Sequence, residues 1–412
     1  MAQSAITPRF AWRGMSFDVC RHFFPKEVVL RLIDVLALYR FNVLHFHLSD
    51  DQGFRVESER FPLLNSVGSF RKSSAVKRGA GEVQDNIPHG GFYTKADIRQ
   101  IVAYAAAKGI DVVPELEIPG HALAMIAAYP ELACTGEPVS VATSYGIKDF
   151  SSHILCAGRP GTLDFIRALM EEWLALFPSP YFHLGGDEAG KTQWKHCPRC
   201  QEKIKKLGLK NENALQAAFI NEAAAFLKSR GKTAIVWNDC LADGLDRSII
   251  CEHWTPPAIR SVQPTVDHIN AGGKAIISSF RHLYFDYPYS LTPLKKTYGF
   301  QPVFPEIHPD MLDNVLGVEC TLWTEWIEDE EKLWFNLLPR LAAVGEIACC
   351  PEDALNYQDF ARRLPAQYEL YERMGLPYAK NMEKRRGVFP RLKDTVEFYA
   401  SNAYVELDHR RR

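Results

Sequence analysis

Tyr181-Phe182-His183-Leu184-Gly185-Gly186-Asp187-Glu188 is the stretch that decides how the rest of the chain is read. An apolar run ends abruptly there in two glycines and two adjacent carboxylates. Glycine lets the backbone turn where other residues resist. A strand whose C-terminal tip carries ionisable groups is how an α/β barrel presents reactive side chains. Two carboxyl groups held close cannot both ionise freely, so one is driven toward the protonated form a general acid needs. At a helix N-terminus the same acidic pair would serve capping alone, and the remaining sequence must separate the two readings.

Working outward, strand-like runs recur at 13–20, 42–50, 109–118, 181–188, 232–239, 248–254, 273–279 and 314–325. Their interiors, such as Val43-Leu44-His45-Phe46 and Ala234-Ile235-Val236-Trp237, are nearly continuous and apolar, as parallel strands buried on both faces require. Amphipathic helices separate them. One is predicted to start at Thr94, with Asp97 as its capping partner, to bury Ile98, Ile101, Val102 and Ala105, and to stop at Gly109. A second starts near Pro25 and buries Val29, Leu32, Ile33 and Leu36. A third runs through Ile166, Leu169, Met170, Trp173 and Phe177 before Pro178. Eight strands alternating with helices predict a (β/α)₈ TIM barrel over residues 8–350. Residues 351–412 are read as a final helix, through about Met374, and a basic tail ending His409-Arg410-Arg411-Arg412.

Composition narrows the function classes. The chain has 412 residues, is 47% hydrophobic, and carries a net charge of -2. That balance gives no electrostatic footprint for nucleic acid or an anionic membrane. No apolar stretch reaches the ~18 residues of a membrane-spanning helix. Met1-Ala2-Gln3-Ser4 lacks the basic and apolar regions of a signal peptide, and no Asn-x-Ser/Thr sequon occurs. The expectation is a cytoplasmic protein, or a secreted or periplasmic one if a leader has been trimmed.

In a barrel, chemistry gathers at the C-terminal strand tips. Here the tips carry Asp18, Arg21 and His22; His45, His47, Asp50 and Asp51; Glu115, Glu117 and His121; then Asp187 and Glu188. Later tips carry Trp237 with Asp239, Trp254, Tyr284 with Asp286, and Trp323 with Glu325. Tryptophans among carboxylates and an arginine suit a sugar: aromatic faces stack on the C–H face of a pyranose, and charged groups bond its hydroxyls.

Many of these residues stand in segments that resemble the catalytic domain of glycoside hydrolase family 20, the β-N-acetylhexosaminidases. They are Arg13-Gly14-Met15-Ser16-Phe17-Asp18 with Arg21-His22-Phe23; Asn42 to Gly53; Pro114-Glu115-Leu116-Glu117-Ile118-Pro119-Gly120-His121; His183 to Glu188; and Leu322-Trp323-Thr324-Glu325. They fall in the family's order between residue 8 and about 350. The resemblance implies that Glu188 is the general acid/base and that Asp187 holds the substrate's 2-acetamido group. It implies that Asp50 and His121 form a polar relay behind the acid, and that Arg21 and Glu325 bind outer hydroxyls of the terminal sugar. Trp237, Trp254 and Trp323 would enclose the N-acetyl group and ring, with Tyr284 and Asp286 on the acetamido and nearby hydroxyls. The implied activity is exo-hydrolysis of terminal β-linked GlcNAc or GalNAc through an oxazolinium intermediate, the substrate-assisted exception among retaining glycosidases. Variants of the family that release a disaccharide or a sulfated GlcNAc, and a catalytically inactive sugar-binding barrel, are the alternatives. Departures from the family pattern are Phe54 for a common Trp, Glu117 for a usual Asp, and Cys320-Thr321 before Leu322. The small α/β domain that usually precedes the family's barrel does not precede Pro8 in this sequence.

The ten cysteines do not read as a disulfide framework. Cys20, Cys240, Cys251 and Cys320 sit in apolar runs as small hydrophobes. Cys349-Cys350 are adjacent, and Cys134 could pair with Cys156. His196-Cys197-Pro198-Arg199-Cys200 has metal-ligand spacing, but no second pair follows at a finger-like interval. No metal and no cofactor are therefore expected.

Overall fold

Eight parallel strands close a barrel in the computed structural model, which describes residues 7–77, 83–145, 154–256 and 261–382, together with 389, 392–393 and 395–396. They are β1 (Trp12–Asp18), β2 (Val43–His47), β3 (Asp111–Glu115), β4 (Tyr181–His183), β5 (Thr233–Trp237), β6 (Ile250–His253), β7 (Ala275–Ile277) and β8 (Val315–Leu322). Seven fall within a predicted run, and β1 begins one residue before its run, at Trp12. Every strand pairs with its sequence neighbours, and β8 returns to β1 with Gly14 opposite Glu319. The fold is a (β/α)₈ TIM barrel.

Side chains two apart on a strand share a face, so the barrel interior builds in layers. At its foot Trp12, Val43, Val113, Ile235, Ile250 and Ile276 form an apolar cluster, with Tyr181 and Leu316 against it. Two residues further along five strands, the inward positions are His45, Glu115, His183, Trp237 and Glu252, and Glu319 of β8 joins them, all buried. That abrupt change of chemistry sets the stage for the mouth above.

Helices cover the barrel: α1 (Lys26–Leu38), α2 (Lys95–Ala106), α3 (Pro160–Leu174), α4 (Pro198–Leu207), α5 (Glu212–Ser229), α6 (Gln263–Asn270), α7 (Arg340–Cys349) and α8 (Tyr357–Met374). In α2 the Thr94 hydroxyl accepts from Asp97 N while the Asp97 carboxylate accepts from Thr94 N, a complete capping box. Val102, expected on its buried face, is only half-buried because the stripe centres on Ile98, Ile101 and Ala105. The final helix α8 starts at the Asn356 cap, sets Phe360, Leu364 and Tyr371 into the core, and ends on left-handed Gly375. The basic tail at 409–412 lies outside the described residues. Among the described residues no helix is long and apolar enough to cross a membrane.

Candidate active site

The run 181–188 is a strand only as far as His183, although Leu184 N still donates to Ile235 O and Trp237 N to Gly185 O. Beyond that the chain turns through positive φ at Gly185 (61°), Gly186 (97°) and Glu188 (45°). A Cβ on Gly185 would collide with the Glu117 carboxylate, and one on Gly186 with Cys240 Sγ. Both glycines are thus demanded twice, by conformation and by space. Glu117 Oε2 accepts from Gly186 N at 3.1 Å, so this residue, read as a longer substitute for Asp, fastens the turn that carries the acidic pair.

The turn sets Asp187 and Glu188 against His121, itself at positive φ (46°) after the β3 tip. His121 Nε2 lies 3.6 Å from Asp187 Oδ2 and 3.7 Å from Glu188 Oε2, while Nδ1 lies 3.3 Å from Asp50 and 3.5 Å from Asp51. Burial alone would keep this imidazole neutral, but Asp50 and Asp187 outweigh it and raise its pKa well above the ordinary value. His121 therefore sits as a cation between two acidic pairs. Burial, with Asp239 and Glu188 adding to it and His121 opposing, lifts Asp187 to a pKa of about 7. Asp187 Oδ1 is buried and has no hydrogen-bond partner among the described residues. A group able to donate an N–H there would satisfy an orphaned acceptor and favour the carboxylate form.

Arg21 is buried behind Asp50, with Nη2 2.8 Å from Asp50 Oδ2, Nη1 3.3 Å from Asp18 Oδ2, and Nε donating to Gln52 at 3.1 Å. Its cationic plane also covers the Trp323 ring at 5.1 Å, and the charge of Glu325 helps to hold it protonated. Against the cost of burial, Arg21 and His121 keep the Asp50 carboxyl far below its usual range. So Arg21, Asp50, His121, Asp187 and Glu188 form one continuous polar chain.

The four aromatic candidates also converge. Trp237, Trp254 and Tyr284 form a cluster that Trp323 packs against. Tyr284 stacks on Trp254 at 6.2 Å, and both Trp237 and Tyr284 lie 6.1 Å from Trp323. Trp254 Nε1 donates to Asp239 at 2.7 Å and Trp237 Nε1 to Glu115 at 2.8 Å, which fixes two of the walls. Asp286 follows Tyr284 by two residues, and its charge raises the buried phenol's pKa further after burial itself and Asp187. Asp239, a strand-tip residue to which the resemblance gives no role, pins Trp254.

His45 and Glu115, which the sequence places at strand tips, lie one layer down, beside His183, Glu252 and Glu319, for which it assigned no role. Glu115 is hydrogen-bonded by His47 Nδ1 and lies 2.8 Å from His183 Nδ1 and 3.1 Å from His45 Nε2, while His45 Nδ1 reaches Glu319 at 2.7 Å. His47 Nε2 continues to Asp50 at 2.9 Å, which links this core to the mouth. Burial opposes the Glu115 charge, yet the three histidines hold its pKa well below normal. The alternation Val43-His45-His47 and Val113-Glu115-Glu117 was the available signal, since i, i+2 spacing sends each set inward.

The cysteine reading needs correction. A second pair for Cys197 and Cys200 does exist, but it lies upstream: the Sγ atoms of Cys134, Cys156, Cys197 and Cys200 are all within 4.8 Å of one another. Ligand spacing downstream of Cys200 does not reveal a pair brought in by an earlier loop. All ten cysteines are free, so Cys134 and Cys156 are not bridged.

Comparison with known proteins identifies the family and the fold. The family model for the glycosyl hydrolase family 20 catalytic domain matches residues 10–351. A β-hexosaminidase of Porphyromonas gingivalis is 35% identical over 87% of this chain, and one of Akkermansia muciniphila is 34% identical over 87%. The chain spans 45% of the first relative's length and 72% of the second's. Among solved structures, a family 20 exo-β-N-acetylglucosaminidase of Vibrio harveyi, in complex with N-acetylglucosamine, superposes with a TM-score of 0.80 at 28% identity. That match covers 91% of this chain and 60% of the other.

Proposed function

This chain belongs to glycosyl hydrolase family 20, and from that membership and the arrangement at the barrel mouth we propose that it removes terminal β-linked N-acetylhexosamine, GlcNAc or GalNAc, from glycosides. The observation that carries the reading is the orphaned, buried Oδ1 of Asp187 in the same mouth as the aromatic box. An acetamido N–H is a donor of the right kind for that acceptor, and the indole and phenol walls suit the acetyl methyl and the pyranose face. With the amide held this way, its carbonyl oxygen attacks the anomeric carbon and the glycosidic C–O bond breaks. Glu188 gives its proton to the departing oxygen and then takes one from the water that opens the oxazolinium ion. Asp187 as carboxylate stabilises the positive charge that develops on the acetamido nitrogen. Arg21, fixed by Asp18 and Asp50, and Glu325 take the outer hydroxyls.

Successive fluorination of the substrate's acetyl group on an aryl N-acetylglucosaminide tests this. Fluorine draws electrons from the attacking oxygen, so turnover should fall steeply through the series, and a thiazoline mimic should inhibit far more tightly than GlcNAc. A flat response, together with a glycosyl adduct on a protein carboxylate, would assign an ordinary two-carboxylate mechanism instead.

A further inference from the structure

The cysteine cluster is a built site. The Sγ atoms of Cys134 and Cys200 are 3.8 Å apart, those of Cys156 and Cys200 3.8 Å, and those of Cys156 and Cys197 3.9 Å. A disulfide would bring two of them to about 2.05 Å. Four thiolates placed tetrahedrally at about 2.3 Å from a zinc ion stand about 3.8 Å from one another, from the edge length of that tetrahedron. Three separations at that value, within a group of four, are the spacing of a coordination shell.

The backbone is arranged to deliver the four sulfurs from two separate loops. Ala133 and Leu155 form an antiparallel bridge, and Cys156 N donates to Leu132 O at 2.8 Å, which sets Cys134 and Cys156 side by side. Trp194 Nε1 donates to Leu155 O at 2.9 Å, tying this pair to the segment that leads into α4. Gly158 lies so close to the backbone of Arg199 and Cys200 that any Cβ would collide with it. Cys197 is the residue before the first turn of α4 and Cys200 sits inside it, with Pro198 at the first helical position. Three of the cysteines are buried and Cys134 is half-buried. The guanidinium of Arg199 donates to Cys134 O at 2.8 Å, which puts a cation beside a shell that would carry two net negative charges when filled.

We propose that Cys134, Cys156, Cys197 and Cys200 bind one zinc ion as a closed structural site. All four positions are filled by protein sulfur, so no position is left for water or substrate. The ion would cross-link the segment after β3, which carries His121, to the segment after β4, which carries Asp187 and Glu188. Its role is to hold those two loops in register, outside the reacting centre.

The test reads zinc content and thermal stability and needs no substrate, so it stands apart from the hydrolase reading. Protein expressed in zinc-replete medium and purified without chelator should carry close to one zinc per chain by elemental analysis. X-ray absorption at the zinc edge should show four sulfur neighbours at about 2.3 Å. The paired variants Cys134→Ser/Cys156→Ser and Cys197→Ser/Cys200→Ser should each lose the metal. Because those variants can fail to fold, the wild type is also treated with a strong zinc chelator, which should lower Tm by roughly 10 °C or more. Zinc should restore it and magnesium should not. Protein with less than a tenth of an equivalent of zinc and a Tm indifferent to zinc and chelator would overturn the site. So would nitrogen or oxygen neighbours at the zinc edge, a disulfide within the cluster found by mass spectrometry, or iron in place of zinc.

Discussion

Two layers of the barrel interior, one step apart on the same strands, behave as different materials. At the foot, Val43, Val113, Ile235, Ile250 and Ile276 meet in a buried apolar cluster. One alternation higher, His45, Glu115, His183, Glu252 and Glu319 are as fully buried but ionisable. The lower layer gains from leaving water, on the order of 25 cal/mol per Å² of apolar surface. The upper layer loses by it, since each buried charge costs several kcal/mol unless a partner compensates. A fold built only for stability would repeat the lower layer. The upper one persists because Glu115 orients the Trp237 wall through Nε1 and, through His47, holds Asp50 beneath His121. The barrel thus spends stability at one level to place groups at the next.

The largest effect should come from cutting the charged layer at its centre. Glu115→Gln leaves His45, His47 and His183 without their shared counter-charge, and breaking a buried pair from one side costs about 3–5 kcal/mol. Ile235→Ala in the foot costs a similar amount, about 2–5 kcal/mol, through its cavity. Activity and pH separate them. His47 has a pKa of about 9 because Glu115 and Asp50 outweigh its burial. A raised folded pKa means that the stabilisation is complete below about 6.5 and is lost as pH rises through about 9. Urea unfolding at pH 6 and pH 9.5 should show that loss in wild type and in Ile235→Ala, and a much weaker one in Glu115→Gln. Only Glu115→Gln should also lower kcat. Parallel pH curves for all three proteins would break the distinction between the layers.

Next in size is Asp187→Asn at the mouth. By the proposed mechanism, removing the Asp187 charge should reduce kcat by about 10²–10³-fold. Stability should move the other way. Burial raises Asp187 to about 7, so its favourable contribution is full below its ordinary 3.8 and gone above about 7. The asparagine variant should therefore melt higher relative to wild type at pH 8 than at pH 5. A variant that is less stable at pH 8 would mean that the fold, rather than the reaction, uses this charge.

Trp237→Phe probes the link between the two levels. It keeps most of the aromatic wall but removes the donor to Glu115, a bond to a charged acceptor worth about 1.5–3 kcal/mol. Stability should fall by that amount and kcat/KM with it. Unchanged kcat/KM with reduced stability would confine the Trp237 bond to folding.

How much of this was legible in the sequence depended on how locally each feature is encoded. The strands, the Gly185-Gly186 turn and the tip residues lie within short segments, and each reads directly. The aromatic box was reachable because Trp237, Trp254 and Trp323 stand at strand ends, whereas Tyr284 follows a short helix, Phe280–Leu283, beyond β7. His45 and Glu319 were not paired in advance, since 274 positions separate them and only barrel closure brings them to 2.7 Å. The four cysteines escaped for the same reason: Cys134 and Cys197 lie on different loops, joined by a bridge and hydrogen bonds no spacing rule contains.

The smallest expected effect belongs to the most local signal of all. Thr94 and Asp97 were paired by a spacing of three, and in the structure each side chain bonds the other's backbone N–H at 3.1 Å. Thr94→Ala removes the bond from Asp97 N and the hydroxyl's own bond to the Asp97 carboxylate, and should cost about 1 kcal/mol, the usual worth of an N-cap. Asp97 also meets Lys26 at 2.6 Å, so part of the tie between α2 and α1 should survive the substitution. The cap shares no partner with either barrel layer. Its cost should therefore add to that of Ile235→Ala within about 0.5 kcal/mol and leave kcat and the pH dependence unchanged. Chemical unfolding of the double variant measures the sum. A shortfall well beyond that margin would mean that the helical shell and the apolar foot respond as one unit, and the layer-by-layer account of the barrel would need a coupling it does not now contain.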